Sequence, residues 1–320
     1  MRRWIAGGFL LLAAVNCSNQ RWATTPKTFR YSEYLPKADL ALEIPGLGPC
    51  TDEPNRTLHL DSNQPVTILV HGCNGSAGRF QALAEVFAFH GQQAIGFSYN
   101  DRDEMMASSG QLARAIQALS EKMQNKQITV IGHSQGGLLA RKALVMERPD
   151  AVTDPHLQIR LVTISAPFSG IFAANHCGSP VARLISFGLV APICRVVSGA
   201  KWRDITYNGD FITRPGRLIP QVNRHLKINS DERNTCLETR ADGTCQKSDY
   251  IFSLQEQRQV QVDGEPRAKV IDVKVGHVAI VGDQSVVPTK LIAILQQEKI
   301  LLSTEKPRQG ELAVLLARLY

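Results

Sequence analysis

The sequence predicts an α/β protein with a mostly parallel central sheet flanked by helices, and three observations carry that expectation. Short β-branched or apolar runs recur at 66–70, 94–99, 128–131, 159–164, 225–228 and 270–275. Between them lie stretches with apolar residues at helical spacing, at 80–90, 111–123 and 137–147, with another at 288–302. Strand alternating with helix implies parallel pairing, because a parallel partner needs a crossover long enough to hold a helix. The chain also has the means to build such a core: 320 residues, 43% hydrophobic and 20% charged, fit one large domain. These values exclude a collagen, a disordered tail and a polytopic membrane protein.

Each element has a local reason. Val66-Thr67-Ile68-Leu69-Val70 follows Pro65 and reads as a buried strand. The 80–90 helix places Phe80, Leu83, Ala84, Phe87 and Ala88 on one face, and Pro149 closes the 137–147 helix. Residues 168–220 break the rhythm and read as a lid-like insertion over the sheet. Its apolar residues Val181, Leu184, Ile185, Phe187, Leu189, Val190 and Ile193 suit either an acyl pocket or ordinary packing. A strand at 225–228 resumes the rhythm, and 229–249 reads as a polar loop holding two cysteines. Residues 17–60, broken by prolines at 26, 36, 45, 49 and 54, read as an irregular leader. The domain proper spans 61–303, and 304–320 is a C-terminal tail able to add a short helix.

The N-terminus reads as an export signal. Arg2 and Arg3 precede an apolar run of twelve residues, 4–15, too short to span a bilayer. Ala14-Val15-Asn16-Cys17 resembles a bacterial lipobox, departing from it at Asn16, so residues 1–16 are expected to be removed and Cys17 lipidated. A plain secretory signal is the alternative. The expected location is therefore the periplasm or the outer membrane, through a lipid anchor, or else the medium. Export to an oxidising compartment makes the other six cysteines disulfide candidates, and nearest neighbours give 50–73, 177–194 and 236–245. No Cys-x-x-Cys occurs, so neither zinc nor thioredoxin-type chemistry is indicated. The net charge of +7 is scattered, without a basic run or a nucleic-acid-binding motif, so nucleic acid is not an expected partner.

The chemistry concentrates at Gly132-His133-Ser134-Gln135-Gly136, a Gly-x-Ser-x-Gly pattern between the 128–131 strand and the next helix. A turn that tight needs glycines beside the serine, and it lifts the hydroxyl clear of the backbone. Attack by Ser134 on an acyl carbon creates an oxyanion that preorganised N–H groups must meet. Gln135, just after the nucleophile, supplies one N–H group. His71-Gly72-Cys73 at the end of the first domain strand supplies the other, through Cys73.

These segments resemble the α/β-hydrolase superfamily in its lipase and esterase branch, which carries a His-Gly oxyanion loop and a Gly-His-Ser-x-Gly elbow. The resemblance covers residues 66–302, with its specific motifs in a few short segments. It implies an α/β-hydrolase fold and the chain order nucleophile, acid, histidine. Of the four histidines after Ser134 (His156, His176, His225 and His277), only His277 follows the last strand, which makes it the expected base. The acid is expected after the strand near Leu226. Asp249 is preferred because Ser248-Asp249-Tyr250-Ile251-Phe252-Ser253-Leu254 resembles the acid-bearing segment of many lipases, although Tyr250 stands where those often have glycine. Glu232 and Asp231 come next, then Asp283 and Asp210. A Cys236–Cys245 bridge would brace the loop that delivers Asp249.

The expected function is a serine hydrolase of carboxylic esters, lipid or acylglycerol esters among them, acting through Ser134, His277 and Asp249 with Cys73 and Gln135 as the oxyanion hole. Amidase, thioesterase and acyltransferase activities use the same triad and stay open, as does a non-catalytic surface lipoprotein on this fold. No zinc-protease, P-loop or dinucleotide fingerprint is present, so no cofactor or metal is expected.

Overall fold

The structure, a computed structural model, describes residues 34–172, 199–283 and 285–320. Its centre is a seven-stranded sheet in the order β11-β8-β7-β6-β4-β5-β2. These strands are β2 (Leu47–Gly48), β4 (Val66–Val70), β5 (Gln93–Phe97), β6 (Gln127–His133), β7 (Gln158–Ile164), β8 (Val222–Asp231) and β11 (Ala268–Lys274). All neighbours are parallel except β2, which pairs antiparallel to β5 at the edge. Every residue of β4 is buried, as expected of a strand covered on both faces.

The pleat divides the core in two. Ile68, Val70, Val130 and Leu161 point to one face, where α2 (Met105–Lys122) and α3 (Gln135–Ala143) pack. Leu69, Ile131, Val162 and Ile228 point to the other, under α1 (Gln81–Phe89), α4 (Thr289–Gln297) and α5 (Gln309–Leu319). This is the α/β-hydrolase arrangement, a mostly parallel sheet flanked by helices. The carboxyl ends of β4, β6, β7, β8 and β11 lie along one edge, where open α/β sheets bind ligands.

Four expectations change. The leader is not irregular throughout: β1 (Leu40–Leu42) pairs antiparallel with β3 (Leu58–Leu60), and β2 joins the main sheet. Pro45 and Pro49 flank β2, and prolines are tolerated there because an edge strand need not donate on both sides. β8 runs for ten residues rather than four, up to Asp231, because its polar residues find partners inside the protein. Beyond the expected span, Asn229 Nδ2 donates to Asp272 Oδ1 at 2.9 Å, and Ser230 N–H donates to Gln257 Oε1 at 2.8 Å. The tail is part of the core: α5 packs on α1 through the buried Leu315 and Leu319. Finally, Cys50 does not bond Cys73. Cys50 is a free thiol that burial pushes up to about 12, whereas Cys73 is disulfide-bonded elsewhere.

The Cys236–Cys245 bridge is present and closes a hairpin of β9 (Cys236–Thr239) and β10 (Cys245–Ser248). The signal segment, Cys17, the 177–194 pairing and the apolar residues expected at 181–193 lie outside the described residues.

Because Leu315 is only 7% exposed, Leu315→Ala should cost about 2–4 kcal/mol of stability. A chemical-denaturation midpoint unchanged by the substitution would show that α5 is not integral to the core.

Candidate active site

Ser134 sits between β6 and α3 with φ 56° and ψ −127°, a left-handed conformation that a non-glycine residue adopts only under constraint. Backbone packing supplies the constraint. A Cβ on Gly136 would lie 2.3 Å from the carbonyl oxygens of both Val70 and His71, and one on Gly132 would lie 2.3 Å from the Gly136 carbonyl oxygen. Ser134 N–H donates to the Ile164 carbonyl at 2.8 Å, tying the turn to β7. The elbow is therefore wedged between two neighbouring strand ends.

The His-Gly loop lies directly against it: a Cβ on Gly72 would fall 2.9 Å from Ser134 Cβ. His71 shapes this loop. Its Nδ1 is 2.9 Å from the Gly72 carbonyl, its ring stacks on Tyr99 at 4.3 Å, and Tyr99 Oη donates to its carbonyl at 2.7 Å. Burial holds His71 below the usual histidine range, which favours the neutral ring. Asn74, at φ 52°, donates its N–H to Asp101 Oδ2 at 2.6 Å. Of the expected oxyanion residues, Cys73 follows Gly72 on this loop, and Gln135 opens α3 directly after Ser134. Helix N–H groups of a first turn have no acceptor within the helix, and the helix dipole favours negative charge there.

His277 follows β11, as expected, and its ring is fixed on three sides. Phe252 meets it edge-on at 4.9 Å, His133 lies 4.7 Å away, and Nδ1 lies 2.8 Å from Glu232 Oε1. His133 places Nε2 2.9 Å from the His277 carbonyl, and burial holds its own ring well below the usual range.

The carboxylate on His277 is thus Glu232, not the preferred Asp249. Glu232 directly follows β8 and is 1% exposed. Its Oε2 accepts the N–H groups of Ile251 and Phe252 at 2.6 and 2.7 Å, and Oε1 also takes the Ser230 hydroxyl at 2.6 Å. Asp249 has a different task. Its two oxygens accept the N–H groups of Val278 and Ala279 at 2.8 and 2.9 Å, and its carbonyl accepts from His277 N–H at 3.0 Å. Burial raises the Asp249 carboxyl above its usual range, against the pull of those N–H groups. A Cβ on Gly276 would lie 1.9 Å from Asp249 Oδ2, so only glycine admits this contact.

The remaining acid candidates do not contact His277. Asp231 pairs with Arg233 and Lys274, and the Arg233 hydrogen bonds hold its carboxyl well below the usual range. Asp283 accepts from Ser285, and the exposed Asp210 pairs with Arg214.

Sequence reasoning did not find the network behind Glu232. Ser230 Oγ lies 2.7 Å from Ser165 Oγ, and Gln257 brackets Ser230 with bonds of 2.8 Å to both its N–H and its carbonyl. The available signal was a cluster of small polar residues at two adjacent strand ends. Among the described residues no group of His, Cys, Asp or Glu is placed to hold a metal.

The model of the palmitoyl protein thioesterase family matches residues 65–231, more than half the chain. The chain belongs to that family. The match runs from β4 to the last residue of β8, so it contains Ser134, Cys73 and Gln135 and stops just before Glu232. Among solved structures, the mature lipase BlEst2 of Bacillus licheniformis aligns at 14% identity with a TM-score of 0.50, over 81% of this chain and all of the lipase. Its propeptide form gives 15% identity and a TM-score of 0.53, over 82% of this chain and 55% of the other. At such identities the likeness is one of fold. No curated protein matched significantly. Family and fold together make this member of the palmitoyl protein thioesterase family an esterase- or thioesterase-like hydrolase.

Gly136→Ala would force its Cβ into two backbone carbonyls and should destabilise the protein by at least about 2 kcal/mol. Denaturant melts test this; wild-type stability in the alanine variant would contradict the packing described.

Proposed function

We propose that the protein is a serine hydrolase that cleaves acyl esters through Ser134, His277 and Glu232. The observation that carries this reading is the buried Glu232–His277 contact at 2.8 Å, delivered to the sheet edge that presents the constrained Ser134.

The chemistry follows from the groups. Glu232 accepts the Nδ1 proton of His277, which leaves Nε2 unprotonated and able to take the Ser134 hydroxyl proton. Ser134 Oγ attacks the acyl carbon, and the N–H groups of Cys73 and Gln135 receive the charge that develops on the carbonyl oxygen. The imidazolium, stabilised by Glu232, then protonates the leaving group. Water, deprotonated by His277, cleaves the acyl-enzyme and frees the acid.

Carboxylic oxyesters, lipid esters included, are the first substrate class. A thioester is the second reading, favoured by the family match over residues 65–231. We further propose export, with residues 1–16 removed and Cys17 as lipid anchor. The Cys236–Cys245 bridge supports an oxidising compartment.

A fluorophosphonate probe should label the wild type but not Ser134→Ala. Failure to label the wild type would overturn the reading in favour of a non-catalytic scaffold. Glu232→Gln should lower kcat/KM by about 100-fold or more, since a neutral amide no longer selects the right tautomer. Asp249→Asn should retain at least about ten times the activity of Glu232→Gln, its main cost being stability from disturbed buried hydrogen bonds. The reverse ranking would return the acid role to Asp249. Matched acyl chains on p-nitrophenyl and thiol leaving groups would separate the two substrate classes.

A further inference from the structure

A buried lysine lies beside both proposed oxyanion donors. Lys201 is 3% exposed and comes from the insertion, in the short helical turn Ala200–Arg203. Its Nζ donates to Gln135 Oε1 at 2.7 Å and to Cys73 Sγ at 3.2 Å, and lies 3.6 Å from Asp101 Oδ2. Asp101 in turn grips both sides of the hole. Its Oδ2 accepts the Asn74 N–H at 2.6 Å, and its carbonyl accepts from Gln135 Nε2 at 3.1 Å.

The lysine is anchored by backbone. Ala200 N–H donates to the Arg102 carbonyl at 2.7 Å. Gly199, at φ 79°, passes so close to Arg102 that a Cβ would lie 2.4 Å from that carbonyl oxygen. Asp204 Oδ2 accepts the Met105 N–H at 2.8 Å, which fixes the far end of the turn on α2. Removing an ammonium from water is costly unless its donors are satisfied. This one is placed where its contacts converge on the two residues that must meet the oxyanion.

We propose that Lys201 is a positioning residue that clamps Cys73 and Gln135 into oxyanion-binding geometry, and that its charge favours the oxyanion. The proposal rests on the serine-hydrolase reading above. It makes the insertion part of the catalytic geometry, since the clamp reaches the hole from a segment outside the core βα units.

The charged and titratable groups facing Lys201 are Asp101, which holds the proton on, Arg102, which opposes its charge, and His71, whose ring burial and the Lys201 charge both keep neutral; the disulfide-bonded Cys73 does not titrate. Burial is the dominant influence and brings the ammonium down to about 8. The clamp is therefore intact below that pH and is lost as pH rises through it.

The test compares wild type, Lys201→Met and Lys201→Arg on a p-nitrophenyl ester from pH 6 to pH 10, with fluorophosphonate labelling alongside. Removing one oxyanion donor outright costs about 100- to 1,000-fold in kcat. Disturbing two donors through their side chains should cost less, so Lys201→Met is expected to lose about 10- to 100-fold in kcat. Its KM should change less than about threefold, and the alkaline fall near pH 8 should vanish. Lys201→Arg keeps the charge and should move that fall upward, which tests the proposal even if the methionine variant does not fold. Wild-type kcat and an unchanged alkaline limb in either folded variant would overturn the clamp while probe labelling left the hydrolase reading standing. If the wild type itself failed to label, the hydrolase reading would fall, and the clamp with it.

Discussion

The architecture of the site depends on one steric constraint, the contact between the first turn of α3 and the end of β4. Gly136 brings the helix backbone against the Val70 and His71 carbonyls so tightly that no side chain fits between them. That contact holds Ser134 in its left-handed conformation and lays the His71-Gly72 loop against the serine. The parallel register of β4 and β6, Val70 opposite Gly132, is what brings the two segments level. Sequence, sheet order and the placement of the Ser134 hydroxyl are one problem with one solution here.

The second feature is a division of labour between two buried carboxylates. Glu232 and Asp249 lie on either side of the disulfide-closed hairpin, and both serve the loop that carries His277. Glu232 touches the imidazole, and its remaining acceptor capacity is filled by two backbone N–H groups and a hydroxyl. Asp249 takes the N–H groups just after the histidine and so fixes the loop rather than the ring. Burying a carboxylate is costly unless it is hydrogen-bonded, and both of these are held by backbone N–H groups. The hairpin bridge limits how far the two segments can separate.

The parts that were legible in the sequence were those written in local pattern. The β-branched run before Gly132 and the helix after Gly136 placed Ser134. The position of His277 after the last strand singled it out among four histidines. The carboxylate beside His277 was hidden because β8 runs on past Ile228: Asn229 and Ser230 look like loop residues until Asp272 and Gln257 supply their partners. With the strand's true end at Asp231, Glu232 stands at the strand terminus and Asp249 does not. The strands of the leader were hidden by their brevity and by the prolines around them. Cys50 was paired by spacing alone, whereas its surroundings are an apolar cluster that suits a free thiol. Lys201 had no local signal at all, since its meaning comes entirely from residues about 66 to 128 positions away.

The central claim is that Glu232, held by Ser230 and two backbone amides, is the carboxylate bonded to the His277 ring. The most direct test is proton NMR of the Nδ1–H, which a hydrogen bond to a carboxylate moves far downfield of the backbone amides. The wild type and Asp249→Asn should both show that resonance, and Glu232→Gln should lose it or return it toward the amide region. A resonance that survives in Glu232→Gln and disappears in Asp249→Asn would contradict the account.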